Sequence, residues 1–311
     1  KTLSGAMALR NAAMLRRLAP RPATQRWTQR STRCYARIPG LATQRWTRRS
    51  TRCYAMIPEC EETGLPLLGA AARAREVAPQ LWSALFERDE PYVVIDDFLG
   101  ADAVAAMRED AARLRDVGRF GPSRSVGRDG VAFDKEAVLS CEPEPSDFDD
   151  APHVLVYTRD MLLTLPEALN GFLEAAGAAQ RVSTSAYGTK LAVTLPSGAY
   201  PRHVDNACAD GSGPADKRWL TVIFYLQDDR WRGGGALRLW VPDGDGPGEP
   251  VDVEPVGDRL VCFFSDRIVH EVLPTEDPGA LRYAHTLWLV NEGVCDASRP
   301  GQATVAAHFP P

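Results

Sequence analysis

With 311 residues, 44% of them hydrophobic and seven Trp, eight Tyr and ten Phe among them, the chain can bury one large core with extensions or two small ones. No apolar run reaches the length a membrane-spanning helix needs, so a soluble protein without membrane attachment is expected. The net charge of −5 hides an asymmetry: residues 1–58 hold thirteen Lys and Arg and no acid, leaving 23 basic against 41 acidic residues in 59–311, which argues against nucleic-acid binding by bulk electrostatics.

The seven cysteines, at 34, 53, 60, 141, 208, 262 and 295, form no CxxC pair. An odd, scattered set fits a reducing, intracellular compartment better than a disulfide-stapled secreted fold. Residues 1–58 read as a basic extension outside the catalytic fold. Within it 23–39 (ATQRWTQRSTRCYARIP) recurs as 42–58 (ATQRWTRRSTRCYAMIP), and neither copy has a helical or strand period. Arg-rich and acid-free, this segment fits a transit peptide to mitochondrion or plastid; a disordered basic tail on a cytoplasmic or nuclear protein fits it equally.

Residues 59–89 read as a linker followed by a helix over 70–88, then a strand over 91–98. A Gly100 turn leads into an Ala-rich helix over 101–117, with Val104, Met107, Ala111 and Leu114 on one stripe. Residues 118–152, rich in Gly, Pro, Ser and Asp, read as a long mobile loop with room for one short hairpin. A helix follows over 160–178, interrupted at Pro166. Short β-branched and aromatic runs then appear at 191–195, 219–226, 236–241, 251–253, 259–264, 268–272 and 283–290. Turn signals such as Gly233-Gly-Gly235 separate them. Seven strands at this spacing predict a double-sheeted barrel or sandwich, with the helices against one outer face. The fold class is therefore α+β, mainly β. The last segment, 293–311, is a tail without a readable signal.

The chemistry concentrates in Tyr200-Pro-Arg-His-Val-Asp205. On a strand, His203 and Asp205 face the same way and can reach one metal ion. His270, on the predicted strand 268–272, supplies a third ligand. Two imidazoles and one carboxylate leave coordination positions open, the pattern of non-haem iron(II) oxygenases; zinc suits the same donors and stays open at this point. Arg282, at the start of another strand, offers a planar fork to a carboxylate. Tyr225 can give its hydroxyl to the same group, and Thr286 lies on the same strand face as Arg282.

These residues, with Arg202-His-Val-Asp-Asn206, Ile223-Phe-Tyr-Leu226, Gly234-Gly-Ala-Leu-Arg-Leu239, Phe263-Phe-Ser-Asp-Arg267, His270-Glu-Val272 and Arg282-Tyr-Ala284, resemble the oxygen-sensing prolyl hydroxylases, the Egl-nine-type branch of the 2-oxoglutarate oxygenases. The likeness covers roughly 90–290, and a catalytic domain over 90–292 is expected. It implies a distorted double-stranded β-helix (a jelly-roll) with supporting N-terminal helices. It also implies iron(II), 2-oxoglutarate and O2, with L-ascorbate as helper, and a protein or peptide substrate with a target proline. His203, Asp205 and His270 would hold the metal, and Arg282, Tyr225 and Thr286 the cosubstrate. Arg128 and Asp129 would belong to a segment closing over the substrate, and no side chain would act as acid or base. Two other readings remain: an oxygenase of another side chain or small molecule, and a metal-holding binding module. One departure is visible. The family carries a Tyr-Pro pair shortly before the HxD strand, where this chain has Leu195-Pro196.

Overall fold

The structure, a computed structural model, describes residues 49–50, 54, 57, 69–126, 132–206, 218–228, 230–243 and 246–292. Twelve strands are described: β1 (Arg49–Ser50), β2 (Tyr92–Ile95), β3 (Gly121–Val126), β4 (Ala132–Cys141), β5 (Val182–Thr194), β6 (Tyr200–His203), β7 (Arg218–Tyr225), β8 (Leu237–Asp243), β9 (Gly246–Val253), β10 (Leu260–Phe264), β11 (Val269–Val272) and β12 (Arg282–Asn291). They form a major sheet in the order β2-β10-β7-β12-β5-β4-β3, with β1 beside β5, and a minor sheet in the order β6-β11-β8-β9. Every described pairing is antiparallel. The major helices are α1 (Ala70–Trp82), α2 (Ala101–Asp116) and α3 (Pro152–Ala175).

Period-two geometry sorts the strand side chains into two cores. Leu220, Val222 and Phe224 of β7, with Tyr283, Leu287 and Leu289 of β12, face the helices and pack with Leu81, Met107, Leu114 and Met161. Ile223, Tyr225, Val261, Phe263 and Ala284 face the other way and meet Leu237, Leu239 and Val253 of the minor sheet. The space between the two sheets is thus lined by the odd residues of β7 and the even residues of β12. Both faces of β7 are covered, so Trp219-Leu-Thr-Val-Ile-Phe-Tyr225 reads as a continuous apolar run without visible alternation.

Three local expectations change. The segment 118–152 is a hairpin, β3–β4, whose second strand continues the major sheet through Val138↔Thr194 and Ser140↔Ala192. Turn-rich composition reports local preference only, whereas β4 is held by a partner about fifty residues downstream. Helix α3 begins at Pro152, where a proline is tolerated because the first N–H is unpaired in any case, and it runs through Pro166. The lost hydrogen bond there costs about 3 kcal/mol, less than the burial of Met161, Leu162, Leu165 and Leu169 on both sides of it, at about 2 kcal/mol each. Finally, the second repeat copy contributes to the fold. Arg49 and Ser50 pair with Tyr187 and Ala186, and the buried Tyr54 donates its hydroxyl to Pro143 O and packs edge-on against Tyr187. Two isolated anchors, Tyr54 and Ile57, carry no periodic signal. The first repeat copy, Arg128, Asp129 and the 293–311 tail lie outside the described residues. Among those described, no helix is long and apolar enough to cross a membrane.

On the helix side of β12, His285 is fully buried between Thr189 Oγ1 (3.0 Å) and Thr158 Oγ1 (3.5 Å), against the Tyr157 ring. Burial pushes its pKa down to about 3, so the folded imidazole stays neutral where the unfolded one titrates near 6.5. The stability this contributes is complete above about pH 6.5 and is lost as pH falls toward 3, at up to about 1.4 kcal/mol per pH unit. Urea melts of the wild type and His285→Met across that window are expected to show a shallower acid slope in the variant. Parallel profiles would remove His285 from the acid response.

Candidate metal centre

β6 and β11 lie side by side, with His203 and His270 paired across the ladder and their rings 4.2 Å apart. β6 ends at His203, so Asp205 sits two residues on, in the bend that follows, rather than on the strand itself. It still faces both imidazoles. Asp205 Oδ1 is 3.5 Å from His203 Nε2 and Oδ2 is 3.8 Å from His270 Nε2, and one donor atom from each residue falls within 4.8 Å of the others. Each ring has its Nδ1 beside a backbone carbonyl two residues earlier, Pro201 O and Ile268 O, both at 3.0 Å. An Nδ1–H donated to these carbonyls leaves both Nε2 lone pairs aimed at the common point.

Protonation states agree with metal binding. Burial, reinforced by the neighbouring His270, pushes the His203 imidazole down to about 3, so it is a neutral donor at physiological pH. Burial alone would raise the Asp205 carboxyl, but the two imidazoles beside it hold it well below the usual carboxylate range. Two neutral imidazoles and one carboxylate match the 2-His-1-carboxylate set of non-haem iron(II).

Asp205 is tied to the opposite sheet. Its Oδ2 accepts from Thr221 Oγ1 at 2.7 Å and from Trp288 Nε1 at 2.9 Å, and Ser265 Oγ lies 2.8 Å from the Thr221 hydroxyl. Thr221 and Trp288 stand directly opposite each other on β7 and β12.

The inward face of β12 carries Arg282, Ala284, Thr286 and Trp288 in alternation. Arg282 is 4% exposed, its Nε donates to Gly235 O at 2.7 Å, and its guanidinium lies 5.1 Å from the Tyr225 ring. A Cβ on Gly235 would stand 2.7 Å from Arg282 Cδ, and φ there is +74°, so glycine is what lets the backbone approach. Tyr225 is fully buried and its hydroxyl has no hydrogen-bond partner. Burial lowers the Arg282 pKa and raises that of Tyr225, and no carboxylate among the described residues pairs with either. A buried guanidinium and an orphaned hydroxyl side by side are the complement of a carboxylate ligand. Thr286 lines the same face. Leu195 packs with the helix-side core and supplies no hydroxyl here.

The 2OG-Fe(II) oxygenase superfamily matches residues 189–290, a span containing all six of these predicted metal and cosubstrate residues. The match places a region similar to the 2OG-Fe(II) oxygenases over these residues, about a third of the chain. Human Egl nine homolog 1 is 29% identical over 209 residues, covering 63% of this chain and 42% of that protein, so the chain spans less than half the length of this curated relative. A Pseudomonas putida prolyl-4-hydroxylase structure matches with a TM-score of 0.52 at 25% identity, over 71% of this chain and 100% of the other. A Trichoplax adhaerens prolyl hydroxylase shares the fold, with a TM-score of 0.54 at 23% identity, over 76% and 94%. The His203–Asp205–His270 donor set fits the iron(II) of that family's description.

The structure therefore brings His203, Asp205 and His270 within reach of one another and Arg282 beside Tyr225, with Thr286 on the same strand face as Arg282. Sequence reasoning missed the role of Thr221, although its even spacing from Tyr225 on one strand puts both on the same face. It also missed Lys135 and Lys190. Lys135 lay in a segment read as loop, so no periodicity could point it inward.

Because Thr221 and Trp288 orient the Asp205 carboxylate, Trp288→Phe and Thr221→Val are each expected to weaken metal affinity about 10- to 100-fold. Chelator-competition titration with Co(II) would read this, and wild-type affinity in both variants would show that the ligand needs no such support.

Proposed function

We propose that this chain is a peptidyl-prolyl 4-hydroxylase dependent on iron(II), 2-oxoglutarate and O2, of the oxygen-responsive type. The observation that carries the reading is the shared interior face of β12: its Trp288 end orients the metal-ligating Asp205, and its Arg282 end presents an unpaired guanidinium beside the Tyr225 hydroxyl. A dicarboxylic keto acid fits between such ends. The prolyl substrate is supported by the relatives, among them the Trichoplax enzyme in complex with a hypoxia inducible factor peptide fragment. An intracellular location fits the buried free thiols of Cys141 and Cys262, which burial raises to about 12 and so makes unreactive.

When bound, the iron supplies the oxidising chemistry: O2 is divided between the keto acid, which leaves as succinate and CO2, and C4 of the prolyl ring. The chain's own residues position and shield. His203, Asp205 and His270 would hold the metal, and Arg282 with Tyr225 would hold the distal carboxylate of the keto acid. Ile223, Leu239 and Phe263 line the interior and exclude water. No side chain is assigned an acid or base role in this step.

With iron(II), 2-oxoglutarate, ascorbate and proline-containing peptides, mass spectrometry is expected to show succinate coupled to one added oxygen atom on proline. Zinc in place of iron should give neither product. Arg282→Ala should raise the 2-oxoglutarate concentration for half-maximal rate about 10- to 100-fold, with the peptide requirement unchanged. Succinate without peptide oxidation would leave the oxygenase and remove the prolyl substrate; an unchanged 2-oxoglutarate requirement would remove Arg282 from the site.

A further inference from the structure

Two cations that the reaction above does not use stand beside the metal centre. Lys135, on β4, is 6% exposed, and its ammonium lies 3.2 Å from the centroid of the Tyr200 ring. Lys190, on β5 and directly across the ladder from Thr286, lies 5.7 Å from the Tyr200 ring and 5.5 Å from the Trp288 ring. Arg218 lies 5.6 Å from the same indole. Both aromatic rings touch the metal centre: Tyr200 is 3.8 Å from the His203 ring, and Trp288 donates to Asp205. Lys135 and Lys190 are thus one ring away from the ligands, on the interior side of the major sheet.

Their charge has no visible complement. Among the described residues, neither ammonium forms an ion pair with a carboxylate. The acidic groups whose fields reach them are Asp205, already engaged by the metal centre, Thr221 and Trp288, and Glu142, exposed just past β4 and felt by Lys190. The metal dication, Asp205, the doubly charged keto acid and Arg282 cancel among themselves. Lys135 and Lys190 are therefore without a carboxylate of their own among the described residues with every cofactor in place. A buried ammonium without a counter-ion is costly, and a cation–π contact with one tyrosine offsets only part of that. Burial holds both lysines below their usual pKa, and the neighbouring Lys190 helps push Lys135 down to about 5, so Lys135 rests neutral and takes up its proton when a carboxylate arrives beside it.

We propose that Lys135 and Lys190 form a carboxylate subsite beside the metal centre, which takes an Asp or Glu side chain of the peptide substrate near the target proline. The proposal rests on the prolyl-hydroxylase reading above and adds a specificity to it: the preferred substrate is acidic. Cosubstrate and substrate then present carboxylates to separate cations, the former to Arg282 and the latter to the lysine pair.

The test uses the full chain loaded with Mn(II) and 2-oxoglutarate under anaerobic conditions, so that binding is read without turnover. The probe is a short fluorescein-labelled peptide with one central proline in an alanine–glycine background. A single Glu is walked along both sides of the proline and compared with Gln at each place. Anisotropy is expected to show one register at which Glu binds about 10- to 100-fold more tightly than Gln, a preference lost in Lys135→Met and in Lys190→Met. The 2-oxoglutarate affinity, read by tryptophan quenching, should be unchanged and reports that each variant is folded. Lys190, only partly buried, keeps the test alive if Lys135→Met does not fold. Equal binding of Glu and Gln peptides at every register overturns the subsite. So do variants that lose 2-oxoglutarate affinity while keeping the acid preference, since the pair would then serve the cosubstrate. Peptides with Ala in place of Pro separate the two levels: acid preference without proline dependence keeps the subsite and removes the prolyl reading, and the converse removes the subsite alone.

Discussion

The Asp205 carboxylate is the point on which the two sheets and the chemistry depend together. Its two imidazole neighbours come from adjacent strands of the minor sheet, whereas its hydrogen-bond donors, Thr221 and Trp288, come from central strands of the major sheet. One side chain thereby fixes the separation and register of the sheets at the open end of the barrel. A carboxylate can do this because it accepts several bonds at once and still presents an oxygen to a metal. Its buried charge is tolerable only because donors surround it, and the imidazoles beside it hold it ionised.

From that point the interior of β12 acts as a ruler. Antiparallel pairing with β5 and β7 fixes its alternation, so Arg282, Ala284, Thr286 and Trp288 must all face the space between the sheets. Trp288 reaches Asp205, and Arg282 is held at the far end by Gly235 O. The small Ala284 stands between them on the same face. Catalysis of this kind asks the protein for position and dryness rather than for acid–base groups, and the strand delivers both with one periodicity. The lysine pair on β4 and β5 extends the same placement sideways, with two more strands presenting side chains beside the Tyr200 and Trp288 rings.

The helices matter for the site through the sheet they cover. α1, α2 and α3 bury the outward residues of β7, β10 and β12, which forces the alternate residues inward. Tyr157 stacked on Phe224 and the neutral His285 between Thr189 and Thr158 belong to that outer layer.

By itself the sequence determined the candidate ligand set, the candidate cosubstrate anchor and the β-rich fold class, because each rests on local spacing: His203 and Asp205 two apart, Arg282 and Thr286 on one face of a strand, and short apolar runs between turns. Tertiary structure decided everything that rests on a distant partner. β4 looked like loop because the segment around it is rich in turn-formers, and only pairing with β5 makes it a strand and turns Lys135 inward. Pro166 looked like a break because local backbone chemistry says so, and only packing of the residues around it carries α3 through. Thr221 looked like one residue of an apolar run, and only the fold of β7 over the bend after β6 makes it a partner of Asp205. Tyr54 stood in an aperiodic repeat until Pro143 and Tyr187 gave it a place. Spacing along a chain is written in the sequence, but the identity of a cross-sheet neighbour is set by packing and burial of the whole, which no local window contains.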